Sequence, residues 1–187
     1  MLGSPFRTDG EQQVNVPTIP TTWADQLEVF LGTLHTVPPA TTTPSADPER
    51  AVYRSYFEDR EGNVLGGQSD WIVAGKEKPA YTFRFLLHSR SSDRLHFMIT
   101  GSGPDHEKKV GISRNGYLGL YQVSTVSDFI KIEPLEWSEN AVLCRLRDHL
   151  GHAVKARHDS ATDTPRFSYL NAQAGADTLF ILQRVHN

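Results

Sequence analysis

Residues 113–121 read SRNGYLGLY, an Asn-Gly step that opens onto Tyr117, Leu118, Leu120 and Tyr121. Asn-Gly between two such runs signals a β-hairpin, because a two-residue turn of the favoured hand needs positive φ at both central positions. Working outward, the same plan recurs: a strand, a charged turn ending in glycine, then a second strand. SYFEDREGNVLGG (55–67) has Gly62 at its turn, VGISRNGYLGLY (110–121) has Gly116, and LCRLRDHLGHAVKA (143–156) has Gly151. Each unit precedes a run of alternating large residues: YTFRFLL (81–87), FIKIE (129–133) and LFILQRV (179–185).

Period-2 alternation marks these runs as strands with a buried face. In the first, Tyr81, Phe83, Phe85 and Leu87 alternate with Thr82, Arg84 and Leu86. Further strands are expected at 51–58, 94–100, 108–112, 117–123, 141–147, 152–157, 166–171 and 178–185, parted by Gly, Asn, Asp and Ser turns. No segment after residue 50 has a helical period. Short strands at fairly even intervals predict an all-β barrel or sandwich over residues 49–187.

On its three glycine-turn hairpins and the NGYLGLY stretch, the chain resembles the β-trefoil superfamily, with its fascin-like and lectin-like repeats. That resemblance implies a barrel of three pseudo-repeats of four strands. It also implies a binding module whose ligand is most often a glycan, although similar proteins inhibit proteases, bundle actin or bind receptors. Two features depart from the pattern. The turn glycines are unevenly spaced, and Trp137 sits in LEW rather than in the Gln-x-Trp mark of ricin-type sugar binders. A β-sandwich or jelly roll is the alternative fold.

Residues 1–48 have a different texture. They hold Pro5, Pro17, Pro20, Pro38, Pro39, Pro44 and Pro48, and VPPATTTPSADP (37–48) reads as a Pro/Thr-rich linker. Residues 1–21 read as an extended polar arm. Between them, Trp23, Leu27, Phe30, Leu31 and Leu34 fall at helical spacing, which predicts one amphipathic helix at about 22–34, with Thr22 as N-cap. Its apolar face needs a cover. It either folds back onto an open end of the β-body or docks on other subunits through residues 1–36.

The 187 residues carry a net charge of −3, with 38% hydrophobic and 22% charged residues, values of an ordinary globular protein. A nucleic-acid partner would need a clustered basic face; Lys76 with Lys78 and Lys108 with Lys109 are too short for one. No run approaches the roughly 20 apolar residues of a membrane span, so no membrane insertion is expected. MLGSPFRTDG has no signal-peptide pattern, which predicts synthesis in the cytoplasm, with a final place inside a secreted or virion assembly left open. The single cysteine, Cys144, permits no intrachain disulfide and reads as a buried, inert thiol.

Motifs for catalysis are missing. GSG at 101–103 follows a strand, but PDHEKK after it does not start a helix, so a phosphate loop is not expected. Glu58, Asp59 and Glu61 read as one solvated acidic turn. His149, His152 and His158, with Asp148 and Asp159, form the densest metal-ligating group. On a hairpin, however, His158 would lie roughly 20 Å along the strand from His149, so no metal and no cofactor are expected. Aromatic rings near polar turns are the better sign of a binding surface. The candidate ligand-binding residues are therefore Asn115, Tyr117, Tyr121, Trp137, Asp148 and His152. Together they predict a non-enzymatic module that recognises a glycan or a protein surface. The alternative is a structural or receptor-binding subunit of a larger assembly, such as a phage virion, a phage tail or a secretion-type machine. It would be anchored through Trp23, Leu27, Phe30, Leu31 and Leu34.

Overall fold

A computed structural model describes residues 17–37, 50–58, 64–122, 128–158 and 167–185. The arm up to residue 16, the linker from 38 to 49, Gly62 and the acidic residues Asp59 and Glu61 lie outside the described residues. Among those described, twelve strands form: β1 (Val29–Val37), β2 (Arg50–Glu58), β3 (Val64–Gly75), β4 (Phe83–Arg90), β5 (Leu95–Thr100), β6 (Lys108–Ile112), β7 (Leu118–Gln122), β8 (Ile130–Trp137), β9 (Ala141–Arg147), β10 (Lys155–Arg157), β11 (Phe167–Asn171) and β12 (Leu179–Val185). The chain is all-β, and no helix among the described residues is long and apolar enough to cross a membrane.

The helix predicted at 22–34 is not there. A single turn, α1 (Thr21–Ala24), comes first, and β1 takes over from Val29. In β1 Phe30, Gly32, Leu34 and Thr36 are buried while the residues between them are not. Phe30 and Leu34 are four apart, a spacing shared by a helical face and a strand face. The β-branched Val29, Thr33, Thr36 and Val37 favour the strand. The segment is therefore part of the β-body rather than a tethered arm.

β1 also closes the sheet. One edge bonds β12 from Leu31↔Val185 to Val37↔Leu179. Its other edge is divided: Val29–Gly32 pair with β4, while His35 and Thr36 pair with β2. β3, β2, β1, β12, β9, β8, β5, β6 and β7 follow edge to edge, and the Trp71↔Gly119 pair joins β7 back to β3. This antiparallel sheet is thus a closed nine-stranded barrel. A shorter circuit, β1–β12–β9–β8–β5–β4, also closes on itself because β4 bonds both β1 and β5. Closure leaves no free edge along either circuit.

The β2–β3 and β6–β7 hairpins agree with two of the predicted units, and β4, β8 and β12 are the predicted closing strands. The third unit differs. A turn at Asp148–Gly151 does fold the chain back, but the strand pair after it is β10–β11. The Asn-Gly turn differs as well. Ser113 and Tyr117 are bonded across it and only Gly116 has positive φ (84°), so three residues span the turn instead of two. Asn171, fully buried at the end of β11, fixes that turn. Its Nδ2 donates to the Asn115 carbonyl (3.0 Å), and the Ala172 N–H donates to the Gly116 carbonyl (2.8 Å). A Cβ at residue 116 would lie 2.8 Å from Asn171 Oδ1.

The interior is lined by Phe30, Leu34, Phe83, Phe85, Phe97, Ile99, Ile130, Ile132, Val142, Cys144, Phe180 and Leu182. Phe30 stacks on Phe85 at 4.9 Å, and Phe97 meets both rings edge-on. Trp23 and Leu27, each 1% exposed, close the end of the barrel at which β1 begins. The Trp23 indole N–H donates to the Ser138 carbonyl at 3.0 Å, and its ring meets Trp137 at 5.0 Å. The buried Arg184 guanidinium lies 5.0 Å over the Trp23 ring and donates to the Thr22 carbonyl at 2.7 Å. Replacing this plug, Trp23→Ala, is expected to cost about 3–5 kcal/mol in chemical denaturation, the range for emptying a buried tryptophan site. Val29→Ala, on the same segment but half exposed, is expected to stay within about 0.5 kcal/mol of wild type. Equal costs would mean that the end of the barrel is closed by something other than Trp23.

Candidate functional site

At the opposite end, where β1 gives way to β2, two proline-bearing loops face each other. The β3–β4 loop carries Lys78, Pro79, Ala80, Tyr81 and Thr82; the β5–β6 loop carries Ser102, Gly103, Pro104 and Asp105. With Tyr53 and Arg54 of β2 they line a groove of about 530 Å³, a size common among small-molecule sites. The second loop is wound tightly. A Cβ on Gly101 would lie 2.5 Å from the Asp105 carbonyl oxygen, and Gly103–Asp105 form one 3₁₀ turn. That winding brings the Asp105 side chain back toward β2.

Arg54 is the reason Asp105 is held there. Its side chain is 3% exposed, and it donates to Asp105 Oδ2 at 2.5 Å and to Asp70 Oδ1 at 3.2 Å. Lys108 Nζ stands 3.3 Å from Asp70 and 3.5 Å from Asp105. A buried guanidinium without carboxylates would cost several kcal/mol, so these pairs are required where they are. Tyr81 Oη adds a donor to Asp105 Oδ2 at 3.2 Å and accepts the Ser102 N–H at 3.2 Å. Ser102 Oγ donates to the Thr82 carbonyl at 2.6 Å, tying the two loops together. Burial, the largest influence, raises the Asp105 carboxyl. The Arg54 hydrogen bond and charge, with Tyr81 and Lys108, outweigh it and hold the group below its ordinary value. For Tyr81, burial raises the phenol, the Ser102 amide pulls it back, and the Asp105 charge adds to the rise, so it keeps its proton.

This arrangement fixes an ionised acceptor and a neutral phenol in one groove, and it contains no thiol. Cys144 lies wholly buried inside the barrel, where desolvation pushes its thiol far up and out of reach of ionisation. Among the described residues, no three His, Cys, Asp or Glu side chains converge as a metal site would require. His152 Nδ1 bonds Asp148 Oδ2 at 2.9 Å, His158 Nδ1 bonds Ser168 Oγ at 3.0 Å, and His149 Nδ1 is 3.6 Å from Asp128.

The ligand-binding residues expected from sequence are spread over three places. Asn115 is exposed on the 113–117 turn. Tyr117 is half buried in an aromatic row, 5.3 Å from Trp71 and 5.6 Å from Tyr169, with Arg157 5.2 Å over its ring. Tyr121 lies across the backbone of Gly119, and burial raises its phenol. Trp137 sits at the plugged end against Trp23. Asp148, buried, accepts the His152 backbone N–H at 2.7 Å and so closes the β9–β10 turn, leaving His152 exposed beside it. The residues expected to dock a partner are largely internal: Trp23, Leu27, Phe30 and Leu34 belong to the barrel core, and Leu31 is half buried on the wall. The correction is physical, because a strand face turned into the barrel cannot also be offered to a partner.

Sequence reading misses Arg54, Tyr81 and Asp105 as a site. The signal for Arg54 is its position two residues from Val52 on the inward face of a strand, where an arginine demands carboxylate partners. Nothing in the spacing says that they come from residues 70 and 105.

The lowered Asp105 carboxyl predicts an acid dependence. Its contribution is complete above the ordinary aspartate value of about 4 and is lost as pH falls toward the folded value. Asp105→Asn is therefore expected to be less stable than wild type by about 3 kcal/mol at neutral pH, the cost of breaking a buried pair. That gap should narrow below pH of about 4 in parallel urea titrations; a gap constant with pH would mean that the carboxylate is not held by Arg54. Comparison of the chain with protein-family models, with curated proteins and with solved structures finds no match.

Proposed function

We infer that this chain is a non-enzymatic binding module of β-trefoil type that recognises a glycan or a protein surface through loops at the hairpin end of its barrel. The topology supports the trefoil reading. Strands β1, β4, β5, β8, β9 and β12 make a six-strand circuit, and β2–β3, β6–β7 and β10–β11 are the strand pairs between them. β1, β5 and β9 also behave alike: each pairs its last residues with the segment next in the chain, through His35↔Ala51, Thr100↔Lys109 and Arg147↔Ala153. Such a body is rigid where its strands pair, and its function then resides in loops held by that scaffold.

The groove at Arg54, Tyr81 and Asp105 carries the functional reading. Its polar groups are fixed before any ligand arrives, by bonds that run between β2 and the two loops. Preorganisation of this kind lowers the ordering cost of binding. A binding role needs an entrance and convergent polar groups, and the groove has both.

The reading is tested by amide-resolved NMR on the full chain with a panel of neutral and charged sugars and short peptides. Binding is expected to move the amides of residues 78–82 and 101–105, with the ligand recovered unchanged. Ala80→Trp, which fills the groove without touching the Arg54 network, is expected to abolish those shifts. Ligands that move only other amides would place the site elsewhere, and a ligand recovered chemically altered would make the protein an enzyme.

A further inference from the structure

We propose that the outer wall of the barrel around Phe129 is a proton-dependent docking surface for an acidic segment of a partner protein, whose carboxylates are held by His88, His96 and Lys131. None of these residues lines the groove at Arg54, Tyr81 and Asp105, and the proposal stands independently of it.

Strand alternation places the cluster. Leu95, Phe97 and Ile99 of β5, with Ile130 and Ile132 of β8, are buried in the barrel, so His96, Met98 and Lys131 between them point outward. His96 and Lys131 are paired across the two strands. In β4 the register shifts between Leu87 and Ser89, and His88 is exposed at that bulge. Both imidazoles stack on Phe129, at 5.1 Å for His88 and 5.4 Å for His96, and Lys131 Nζ stands 6.0 Å from the same ring. Three basic side chains thus gather at one aromatic ring. The face continues as an apolar row, Met98, Leu86 and Val29, paired from strand to strand, with Val29 exposed. The closed circuits offer no free edge for strand addition, so a partner has to dock on side chains such as these.

Charge selects the partner. Among the described residues, no carboxylate is paired with His88, His96 or Lys131. Asp93, the carboxylate whose charge acts on His96, accepts a bond from Ser91 at 3.1 Å and lies 3.4 Å from Arg94. Asp128, next to Phe129, stands 3.6 Å from His149, and Glu28, whose carbonyl accepts the Leu87 N–H, is exposed before β1. Beyond Lys131, Arg145 and Arg147 share the single carboxylate of Glu133. The wall is therefore short of anions. Burial, followed by the charges of Lys131, His88 and Arg94, holds His96 below its ordinary value against the opposing pull of Asp93. A proton on His96 is thus disfavoured by the fold, and stability that is complete above pH of about 6.5 is lost as pH falls through the folded value. A carboxylate brought to the imidazolium offsets that penalty, so by linkage it binds more tightly as the ring gains its proton. Ser89 Oγ, 2.8 Å from His96 Nδ1, donates to the neutral ring or accepts from the charged one, and so holds the imidazole in either state. A short acidic segment fits better than an extended polyanion: the whole chain carries −3, and salt confines the attraction to charges within about 8 Å.

The test follows the side-chain NMR signals of His88, His96 and Phe129 in the full chain at pH of about 5.5 and about 7.5, either side of the ordinary histidine value. Its probes are a capped Glu-Glu-Leu-Glu-Glu peptide, the Gln-Gln-Leu-Gln-Gln counterpart, inorganic phosphate, and vesicles of phosphatidylcholine with phosphatidylserine. The acidic peptide is expected to move these signals and to bind roughly fivefold more tightly at the lower pH, as one added surface ion pair implies. The double variant His88→Gln with His96→Gln is expected to lose that gain while keeping the amide pattern of the barrel. His88→Gln alone, at an exposed position, is expected to lose part of it, which keeps the test open if the double variant does not fold. A gain that survives in these variants places the proton elsewhere and overturns the proposal. Equal binding of the Gln peptide overturns the charge class, and phosphate or vesicles that move the same signals more strongly than the acidic peptide overturn the protein partner. If no signal at these residues moves at about ten times a millimolar dissociation constant, the wall is not a docking surface, and the groove is untouched by that result.

Discussion

A strand in a closed sheet has two edges to satisfy, and in this molecule the whole closure passes through β1. Its one edge is taken up by β12 over seven residue pairs, Leu31↔Val185 to Val37↔Leu179. Its other edge serves two partners in succession, β4 for Val29–Gly32 and β2 for His35 and Thr36. That division is what lets the nine-strand barrel and the six-strand circuit share one strand. It also requires an unusually tight interior at the branch: a Cβ on Gly32 would meet Leu182 at 3.0 Å and Phe85 at 3.1 Å. A side chain there would need Leu182, Phe85 and the Gln183 carbonyl to give by a few tenths of an ångström. Trp23 and Leu27 have their place for the same reason, because a barrel that closes laterally still has an open end, and these side chains fill it.

The other end is closed by different physics. Hairpins and loops gather there, and a guanidinium is buried among them. A buried charge is stabilising only when its partners are complete. Arg54 therefore ties its own strand to a neighbouring strand and to one distant loop: Asp70 comes from β3 and Asp105 from a 3₁₀ turn 51 residues along the chain. The neighbouring contacts have the same character. Tyr81, Ser102 and Thr82 join the loops by short polar bonds rather than by apolar packing. Apolar surface is non-directional, whereas such bonds hold a few atoms in one geometry. At the plugged end the buried Arg184 bonds the plug itself, through the Thr22 carbonyl, whereas Arg54 and its partners line an open groove.

The legibility of the sequence divides along the same line. Strands whose alternation is local, such as Ile130–Trp137, Ala141–Arg147 and Leu179–Val185, are readable because period-2 burial is written into consecutive residues. β1 misleads because Phe30 and Leu34 satisfy both periods, and because Trp23 and Leu27 extend the helical spacing into a segment that plugs rather than coils. The turn at Asn115-Gly116 is legible as a hairpin but not in its length, which is set by Asn171 from another strand. The same limit hides the groove. Arg54, Tyr81 and Asp105 meet only after the sheet closes, so no window of sequence contains the site.

Asp148 and Asp105 show why residue type alone does not say what a turn aspartate bonds. Both are aspartates in turns, both are largely buried, and both accept bonds from nearby donors. Asp148 spends its two oxygens on its own turn, Oδ1 on the His152 N–H and Oδ2 on the His152 ring. Asp105 is held by Arg54 of another strand and by Tyr81 of the facing loop, and it lines the groove with them. The first arrangement satisfies an orphan backbone donor and is complete within five residues. The second maintains a charged acceptor at a cost in desolvation that the local turn does not require. Asp148 is satisfied within its own turn, whereas Asp105 is satisfied by Arg54 and Tyr81 from other elements, so only the first can be read from neighbouring residues.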